Sequence, residues 1–225
     1  MKYKNVKEGV FLSRPNRFVA HVLIDGKEEV VHVKNTGRCR ELLVPGVKIF
    51  LEEGDNSKRK TKYDLIAVYK GDVLYNIDSQ APNKVFGEYI NTAFEQVKVI
   101  KPECGYKNSR FDFYVEYEDK KAFIEVKGVT LEEDNVMLFP DAPTERGVKH
   151  LKELCECVKE GYEAYAVFII QADAGVYFTP NTERDRAFSD ALKKACEEGV
   201  NIKAFRCDVK KDKLEINEEM EVRVK

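Results

Sequence analysis

Short runs of alternating apolar and polar residues dominate the first third of the chain. Residues 18–24 alternate in this way, and Asp25-Gly26 then predicts a turn. Further strands are predicted at residues 30–33, 46–51, 63–69 and 73–77. Five short strands before residue 81 favour a small closed or nearly closed β-barrel, of which the OB-fold is the commonest version that binds nucleic acid.

The hydrophobic period changes after Pro82. An apolar stripe at helical spacing predicts a first helix, with Asn83 as its N-cap, over residues 83–97. The elements predicted after it are a strand at 97–100, a hairpin of strands 109–117 and 121–129, a helix at 148–158, a buried strand at 165–170, a helix at 187–196 and a strand at 200–206. This order predicts a mixed α/β layer. The expected domains are therefore an OB-like barrel in residues 1–80 and an α/β domain in residues 81–225.

Three charged residues of the predicted hairpin form the candidate site. Glu125 and Lys127 lie two apart in a strand, so they share a face. A hairpin loop of residues 119–120 or 118–121 places Asp112 opposite Lys127 and Tyr114 opposite Glu125, which puts the three charges on one face and apolar residues on the other.

Two carboxylates at this distance repel each other unless a proton or a cation lies between them. Oxygen ligands favour Mg²⁺ or Mn²⁺, which can activate a water molecule for attack on a phosphodiester. Lys127 can orient that water or stabilise developing charge. Glu103 and Glu88 are both candidates for a third carboxylate, and we place Glu103 with Asp112 and Glu125 as the expected metal ligands. An Asp on one strand and Glu-x-Lys on the next is also common as a solvated ion-pair face.

The order of elements around this site resembles the core of the PD-(D/E)XK nucleases, although Phe111 rather than proline precedes Asp112. A closer resemblance, to the sugar fermentation stimulation protein family, covers nearly the whole chain. The segments that carry it are Arg14-Pro-Asn-Arg-Phe18, Asn35-Thr-Gly-Arg38, Ser109-Arg-Phe-Asp-Phe113, Glu125-Val-Lys-Gly-Val129 and Phe139-Pro-Asp-Ala-Pro-Thr-Glu-Arg146, followed by Lys149-His150. The resemblance implies a nuclease-like fold, non-specific DNA binding and a regulatory role in sugar (maltose) metabolism. It leaves open whether the protein catalyses a reaction.

Charged and polar residues at predicted strand ends are the candidates for DNA contact. Residues 1–80 hold 15 Lys and Arg against 11 Asp and Glu, whereas the remainder holds 23 against 29. Guanidinium groups suit phosphates, and neutral amides and hydroxyls add donors. The predicted DNA-binding residues of the first part are Arg14, Asn16, Arg17, Asn35, Thr36, Arg38 and Arg40; those of the second part are Arg146, Lys149 and His150. Turn chemistry is the alternative explanation for the first group, and a solvated basic helix face for the second.

Composition narrows the class of protein further. Six cysteines without a Cys-x-x-Cys pair favour free, mostly buried thiols in a reducing cytoplasm over structural zinc or disulfides. A charged N-terminal segment predicts no signal peptide, and no apolar run approaches the length of a membrane span. We make no prediction of oligomeric state.

Two functions from different classes follow. The first is a DNA-binding protein with little sequence preference, since no base-reading motif is visible. The second is a Mg²⁺- or Mn²⁺-dependent nuclease in which Asp112 and Glu125 hold the metal and Lys127 assists the water. A further alternative, binding of RNA or a single strand through the barrel, requires exposed aromatic side chains. Phe11 and Phe18 are the candidates for this, and both are expected to pack in the core.

Overall fold

The computed structural model describes residues 1–35, 37–54 and 59–224. Six strands come first, and three helices are then interspersed among nine further strands. The elements are β1 (Val6–Asn16), β2 (Val19–Ile24), β3 (Lys27–Val33), β4 (Lys48–Glu53), β5 (Tyr63–Lys70), β6 (Val73–Asn76), α1 (Ala81–Ala93), β7 (Val97–Tyr106), β8 (Ser109–Tyr117), β9 (Lys120–Val129), β10 (Leu131–Glu133), β11 (Val136–Phe139), α2 (Glu145–Lys159), β12 (Glu163–Ile170), β13 (Tyr177–Pro180), α3 (Arg186–Glu197), β14 (Asn201–Lys210) and β15 (Lys213–Val222). Within these ranges, no helix has the length and apolar character that a membrane crossing requires.

The first part of the chain is a closed five-stranded barrel with β6 as an extension. Strands β3, β2, β1, β4 and β5 are neighbours in that order, and a short parallel pairing of β3 with β5 closes the ring. Its interior is filled by inward-facing apolar side chains such as Phe11, Val22 and Leu65. The predicted OB-like barrel is confirmed, with one strand more than the pattern indicates. That strand is β1, whose charges and Pro15 break the alternation that would reveal it.

The second part is built on a nine-stranded mixed sheet. Its order is β10-β11-β13-β15-β14-β12-β9-β8-β7, and β12 lies in it parallel to both β9 and β14. Helix α1 packs on one face of the sheet and helices α2 and α3 on the other. Because both faces are covered, β12 is buried along most of its length, as its continuous apolar run predicts. The predicted mixed α/β layer is confirmed.

Two details of the prediction are wrong. Tyr117 pairs with Lys120 across a two-residue turn at Glu118 and Asp119, so Tyr114 lies opposite Phe123 rather than Glu125. The register thus differs by two residues, which leaves Phe113 and Val115 on their predicted apolar face with Ile124 and Val126. The alternation is broken at Asp112, because Phe111 and Phe113 lie in clusters on opposite sides of the sheet and the Asp112 carboxylate bonds Asn83 of α1. Asn83 is not the N-cap of α1 either: the cap is Gln80, and Asn83 lies in the first turn with its side chain turned toward β8.

Polar groups join the barrel to the sheet. The Gln171 side chain, at the end of β12, donates to Asn76 Oδ1 (2.8 Å) and to the Asp78 carbonyl (3.0 Å). The Asn76 amide in turn donates to the Tyr3 hydroxyl, and the backbone of Tyr3 is bonded to Asp212 beside β15. Gln171, Asn76 and Asp78 are all buried, and the Gln171 N–H donates to the Val129 carbonyl (2.9 Å), so this network ties the barrel to the end of β9.

Candidate active site

Asp112 lies where the ladder between β8 and β9 ends. The last paired residues are Phe113 and Ile124, and beyond them the Asp112 carboxylate replaces the missing backbone partner. Its Oδ2 accepts from the Val126 N–H (2.7 Å), and its Oδ1 accepts from Asn83 Nδ2 (2.6 Å). Both carboxylate oxygens are therefore held before any ligand arrives. The sequence does not reveal this role of Asn83, because a polar residue near a helix start predicts an N-cap.

Glu125 lies on β9 and is only 5 % exposed. Its Oε1 accepts from the Lys127 ammonium and from His150 Nδ1. Its Oε2 is buried and has no hydrogen-bond partner among the described residues. A buried carboxylate oxygen without a partner is costly, so it marks the place where a cation or a donor group would be stabilised.

His150, on α2, is 4 % exposed and lies against Glu125 instead of on the exposed helix face with Lys149. Its Nε2 accepts from Arg146 Nε (3.4 Å), which places the imidazole proton on Nδ1, where it is donated to Glu125. The three residues of α2 that were predicted to contact DNA therefore differ in their positions. Arg146 and Lys149 are exposed, whereas His150 orients a carboxylate of the site.

The two carboxyl groups have opposite pKa shifts. Burial, reinforced by the nearby charge of Glu125, raises the pKa of Asp112. Burial alone would also raise the pKa of Glu125, but the hydrogen bond from His150 and the charge of Lys127 outweigh it and lower that pKa. Glu125 is thus held as an anion by its neighbours. Ionisation of Asp112 costs free energy, and a bound cation would lower that cost.

The two glutamates proposed as a third ligand lie toward solvent. The Glu103 carboxylate is 3.7 Å from the Arg110 guanidinium, and that of Glu88 bonds the N-terminal ammonium (2.7 Å). Both line a cavity of about 570 Å³ that also includes Asp112, but Glu125 does not line it. Across the described residues, no cluster of three or more His, Cys, Asp and Glu side chains is arranged to hold a metal ion. The unpartnered Glu125 Oε2 and the nearby charge of Asp112 nevertheless suit a small hard cation, because Mg²⁺ is commonly bound by one or two carboxylates, waters and substrate phosphates.

Gly128 follows the Glu-x-Lys pair at a point of close packing. A Cβ at this position would collide with Gln171 Oε1 and lie 2.8 Å from Pro82 Cγ. We expect Gly128→Ala to lower the free energy of unfolding by about 1–3 kcal/mol, since extra volume in a packed site forces neighbours apart. Urea titration tests this. Gly105→Ala is the matched control, because no atom lies within 4 Å of a Cβ there; equal effects at the two glycines would contradict the expectation.

Arg14 binds the protein's own backbone. Its guanidinium donates to the carbonyls of Arg17 (2.7 Å), Asn35 (2.6 Å), Gly37 (2.8 Å) and Arg38 (2.8 Å). Arg14 thereby joins the β1–β2 turn to the segment after β3. Its guanidinium is committed to these carbonyls, in keeping with the turn-chemistry alternative.

We expect Arg14→Lys to lower the free energy of unfolding by about 1–3 kcal/mol. An ammonium cannot reach four carbonyls on two segments, and hydrogen bonds from charged donors contribute about 1.5–3 kcal/mol each before discounting for solvent. Chemical denaturation followed by circular dichroism measures the change. The exposed Arg40→Lys should stay within about 0.5 kcal/mol of the parent; a comparable loss there would refute the role given to Arg14.

The other predicted DNA-binding residues of the barrel divide into two groups. Asn16 and Asn35 accept from the backbone N–H groups of Phe18 and Gly37, respectively, as turn residues do. Arg17, Arg38 and Arg40 are exposed and line a cleft of about 720 Å³. Thr36 lies outside the described residues. The cleft also includes Ala142, from the segment that leads into α2.

The protein is thus of the class in which a closed OB barrel is joined to an α/β domain, and the α/β domain carries the Asp, Glu and Lys site. Comparison with known proteins identifies the family within this class. Residues 80–213 match the family model described as "Sugar fermentation stimulation protein RE domain", and residues 12–77 match the one described as "SfsA N-terminal OB domain". The chain belongs to the sugar fermentation stimulation protein family, as the sequence motifs indicate.

Similar proteins match over their whole length. The sugar fermentation stimulation protein homolog of Desulfitobacterium hafniense (strain Y51) is 60 % identical over 225 residues, which are 100 % of this chain and 99 % of the relative. That of Ruminiclostridium cellulolyticum is 56 % identical and covers 100 % of both chains. A solved structure, Pyrococcus furiosus SfsA in complex with Ca²⁺, is 29 % identical, covers 100 % of this chain and 98 % of its own, and superposes with a TM-score of 0.89.

Proposed function

We propose that the protein binds DNA with little sequence preference and hydrolyses its phosphodiester bonds at the Asp112, Glu125 and Lys127 site with Mg²⁺ or Mn²⁺. The observation that carries this proposal is the buried Glu125 Oε2, which has no partner among the described residues although the Lys127 ammonium pairs with the other oxygen of the same carboxylate. Such an oxygen is stabilised by a divalent cation. The similar Pyrococcus furiosus protein is in complex with Ca²⁺, which supports a hard cation as the ligand.

Each residue of the site has a role that follows from its contacts. Asp112 and Glu125 would hold the cation, which when bound polarises a phosphoryl oxygen and lowers the pKa of its water. Lys127, whose ammonium is paired with Glu125, is placed to bind a phosphate oxygen or the attacking water. Asn83 and His150 hold the two carboxylates in position without contacting the substrate.

Little sequence preference is consistent with the exposed basic groups of the barrel and of α2. Arg17, Arg38 and Arg40 line the cleft on the barrel, and Arg146 and Lys149 are exposed on α2. Guanidinium and ammonium groups contact phosphates in any sequence.

A second candidate function is DNA binding without hydrolysis, with the regulatory role in sugar (maltose) metabolism that the family resemblance implies. One observation favours it: Lys127 already pairs with the Glu125 charge and His150 donates to the same oxygen, so the site is partly satisfied without a cation. In that case the Asp, Glu and Lys set stabilises the fold.

One experiment separates the two candidates. Duplex and single-stranded DNA are incubated with the protein in Mg²⁺, Mn²⁺ or EDTA, and binding and cleavage are followed on the same samples across a salt series. The Glu125→Ala/Lys127→Ala variant removes the site; Glu118→Ala/Lys121→Ala, at exposed positions of the same hairpin, is the matched control.

We expect metal-dependent cleavage by the parent and the control, and none by the site variant. Salt-sensitive binding by all three proteins, without cleavage in any metal, would establish the second candidate instead.

A further inference from the structure

Phe18 lies exposed in the turn between β1 and β2, contrary to the expectation that it packs in the core. It is 52 % exposed, whereas Phe11 on the preceding strand is 2 % exposed and lies in the barrel interior, as predicted. A single exposed apolar side chain is common on protein surfaces. The surroundings of Phe18 therefore decide whether its exposure has a function.

The backbone that carries this ring is fixed on both sides. The Phe18 N–H donates to Asn16 Oδ1 (2.9 Å), and its carbonyl accepts from the Val33 N–H (2.8 Å). The carbonyl of the preceding Arg17 is held by Arg14 (2.7 Å). The ring is thus presented to solvent by a pre-organised turn, which lowers the entropy cost of binding a ligand against it.

Arg17, which directly precedes Phe18 in the chain, lines a cationic cleft on the barrel. Arg14 holds Arg17 through one nitrogen and, through its other contacts, the segment that bears Arg38. Arg17, Arg38 and Arg40 are exposed and line one cleft of about 720 Å³. An exposed aromatic ring that directly follows a residue of such a cleft offers the combination that binds a nucleic-acid strand by base stacking and phosphate contacts.

We propose that the DNA is single-stranded where it crosses the barrel and that the Phe18 ring stacks on one of its bases, while Arg17, Arg38 and Arg40 contact the flanking phosphates. The proposal rests on the proposed function only for the identity of the ligand. In a duplex both faces of a base are covered by its neighbours, so stacking would require unstacking first. A single strand offers its base faces without that cost. Every base has such a face, so stacking agrees with little sequence preference.

The test is binding in EDTA, where hydrolysis cannot interfere. Fluorescence anisotropy compares oligo(dT) of about 16 nucleotides, the upper site size of one OB-fold, with a duplex of equal length. The proteins are the parent, Phe18→Ala, Phe18→Trp, which keeps an aromatic face, and the control Val176→Ala, which truncates a side chain that is 60 % exposed on the second domain.

We expect Phe18→Ala to weaken single-strand binding about 5- to 100-fold and duplex binding less than about twofold. Phe18→Trp and Val176→Ala should bind the single strand within about twofold of the parent. Unchanged single-strand affinity in Phe18→Ala, or equal losses on both DNA forms, would overturn the proposal.

The outcome is distinguishable from that of the hydrolysis proposal. Phe18-dependent single-strand binding by a protein that cleaves no DNA would overturn hydrolysis and leave the stacking proposal standing. Metal-dependent cleavage with unchanged affinity in Phe18→Ala would do the reverse. Binding to neither DNA form by the parent would overturn both.

Discussion

Asp112→Asn should unfold at higher denaturant than the parent in EDTA, with a free energy of unfolding raised by about 1 kcal/mol. In the parent this half-buried carboxylate lies near the Glu125 anion. Its partial burial and that charge both raise the pKa of Asp112, so its ionised form destabilises the fold at neutral pH. The amide carries no charge and has nearly the same shape, so the substitution removes this cost.

The hydrogen bonds of Asp112 can survive the substitution. The new amide oxygen can accept from the Val126 N–H, and Asn83 can turn its own amide so that its oxygen accepts from the new NH₂ group. The gain from removing the charge is therefore not offset by an unsatisfied buried group.

The same variant is expected to lose its response to divalent cations. A cation at a hundred times its dissociation constant stabilises the parent by about 2.7 kcal/mol, and a variant that cannot bind it gains nothing. Denaturant titrations with Mn²⁺ and with EDTA measure both effects. Asp119→Asn is the control, since that carboxylate is fully exposed in the hairpin turn and should change neither quantity. A variant less stable than the parent in EDTA, yet still stabilised by Mn²⁺, would contradict the role assigned to Asp112.

His150→Leu is expected to weaken Mn²⁺ binding about 10- to 100-fold, the usual effect of removing a residue that orients a metal ligand. Leucine fills the space among Phe111 and its neighbours but leaves Glu125 without the Nδ1–H donor. His150→Asn should recover most of the affinity, because an asparagine NH₂ can take the place of that donor. Isothermal titration with Mn²⁺ measures the effect.

Rescue by asparagine is the result that a purely structural role would not produce. A general loss of packing would instead affect the smaller asparagine side chain at least as much as leucine. Lys152→Ala, at an exposed position on α2, is the control for the helix itself and should bind Mn²⁺ like the parent. Equal affinities in His150→Leu and the parent would remove His150 from the site.

That Glu125 and Lys127 share a face could be predicted because strand side chains alternate with a period of two. A register error of two residues moves the partners along the strand without changing faces, so Phe113 and Ile124 lie on one face as expected although the hairpin loop was wrong. The Asp112 carboxylate instead turns toward Asn83 of α1. The strands of the barrel and the order of the later elements were predictable for a similar reason, because the hydrophobic periodicity of a strand or a helix can be seen within one short stretch of sequence.

Contacts between residues far apart in the chain could not be predicted from the sequence. His150 meets Glu125 across 25 residues of chain, and Asn83 meets Asp112 across 29. Arg14 and Arg17 both lie in the segment Arg14-Pro-Asn-Arg-Phe18. The Arg14 side chain nevertheless donates to four backbone carbonyls, whereas the Arg17 side chain lines a cleft. Strand β15 escaped prediction because its solvent face is a run of charges that masks the buried Leu214, Ile216 and Met220.

The edge strand β7 of the large sheet is kinked, which affects whether other chains can pair with it. Strand β7 forms one edge, and an exposed edge is a template on which a second chain can add a strand. Pro102 offers no N–H there, Glu103 is kinked into a left-handed conformation (φ 52°), and Lys98 and Lys101 add charge along the strand. These features obstruct edge-to-edge pairing, so the kink in the strand opposite Asp112 also discourages intermolecular β-aggregation at this edge.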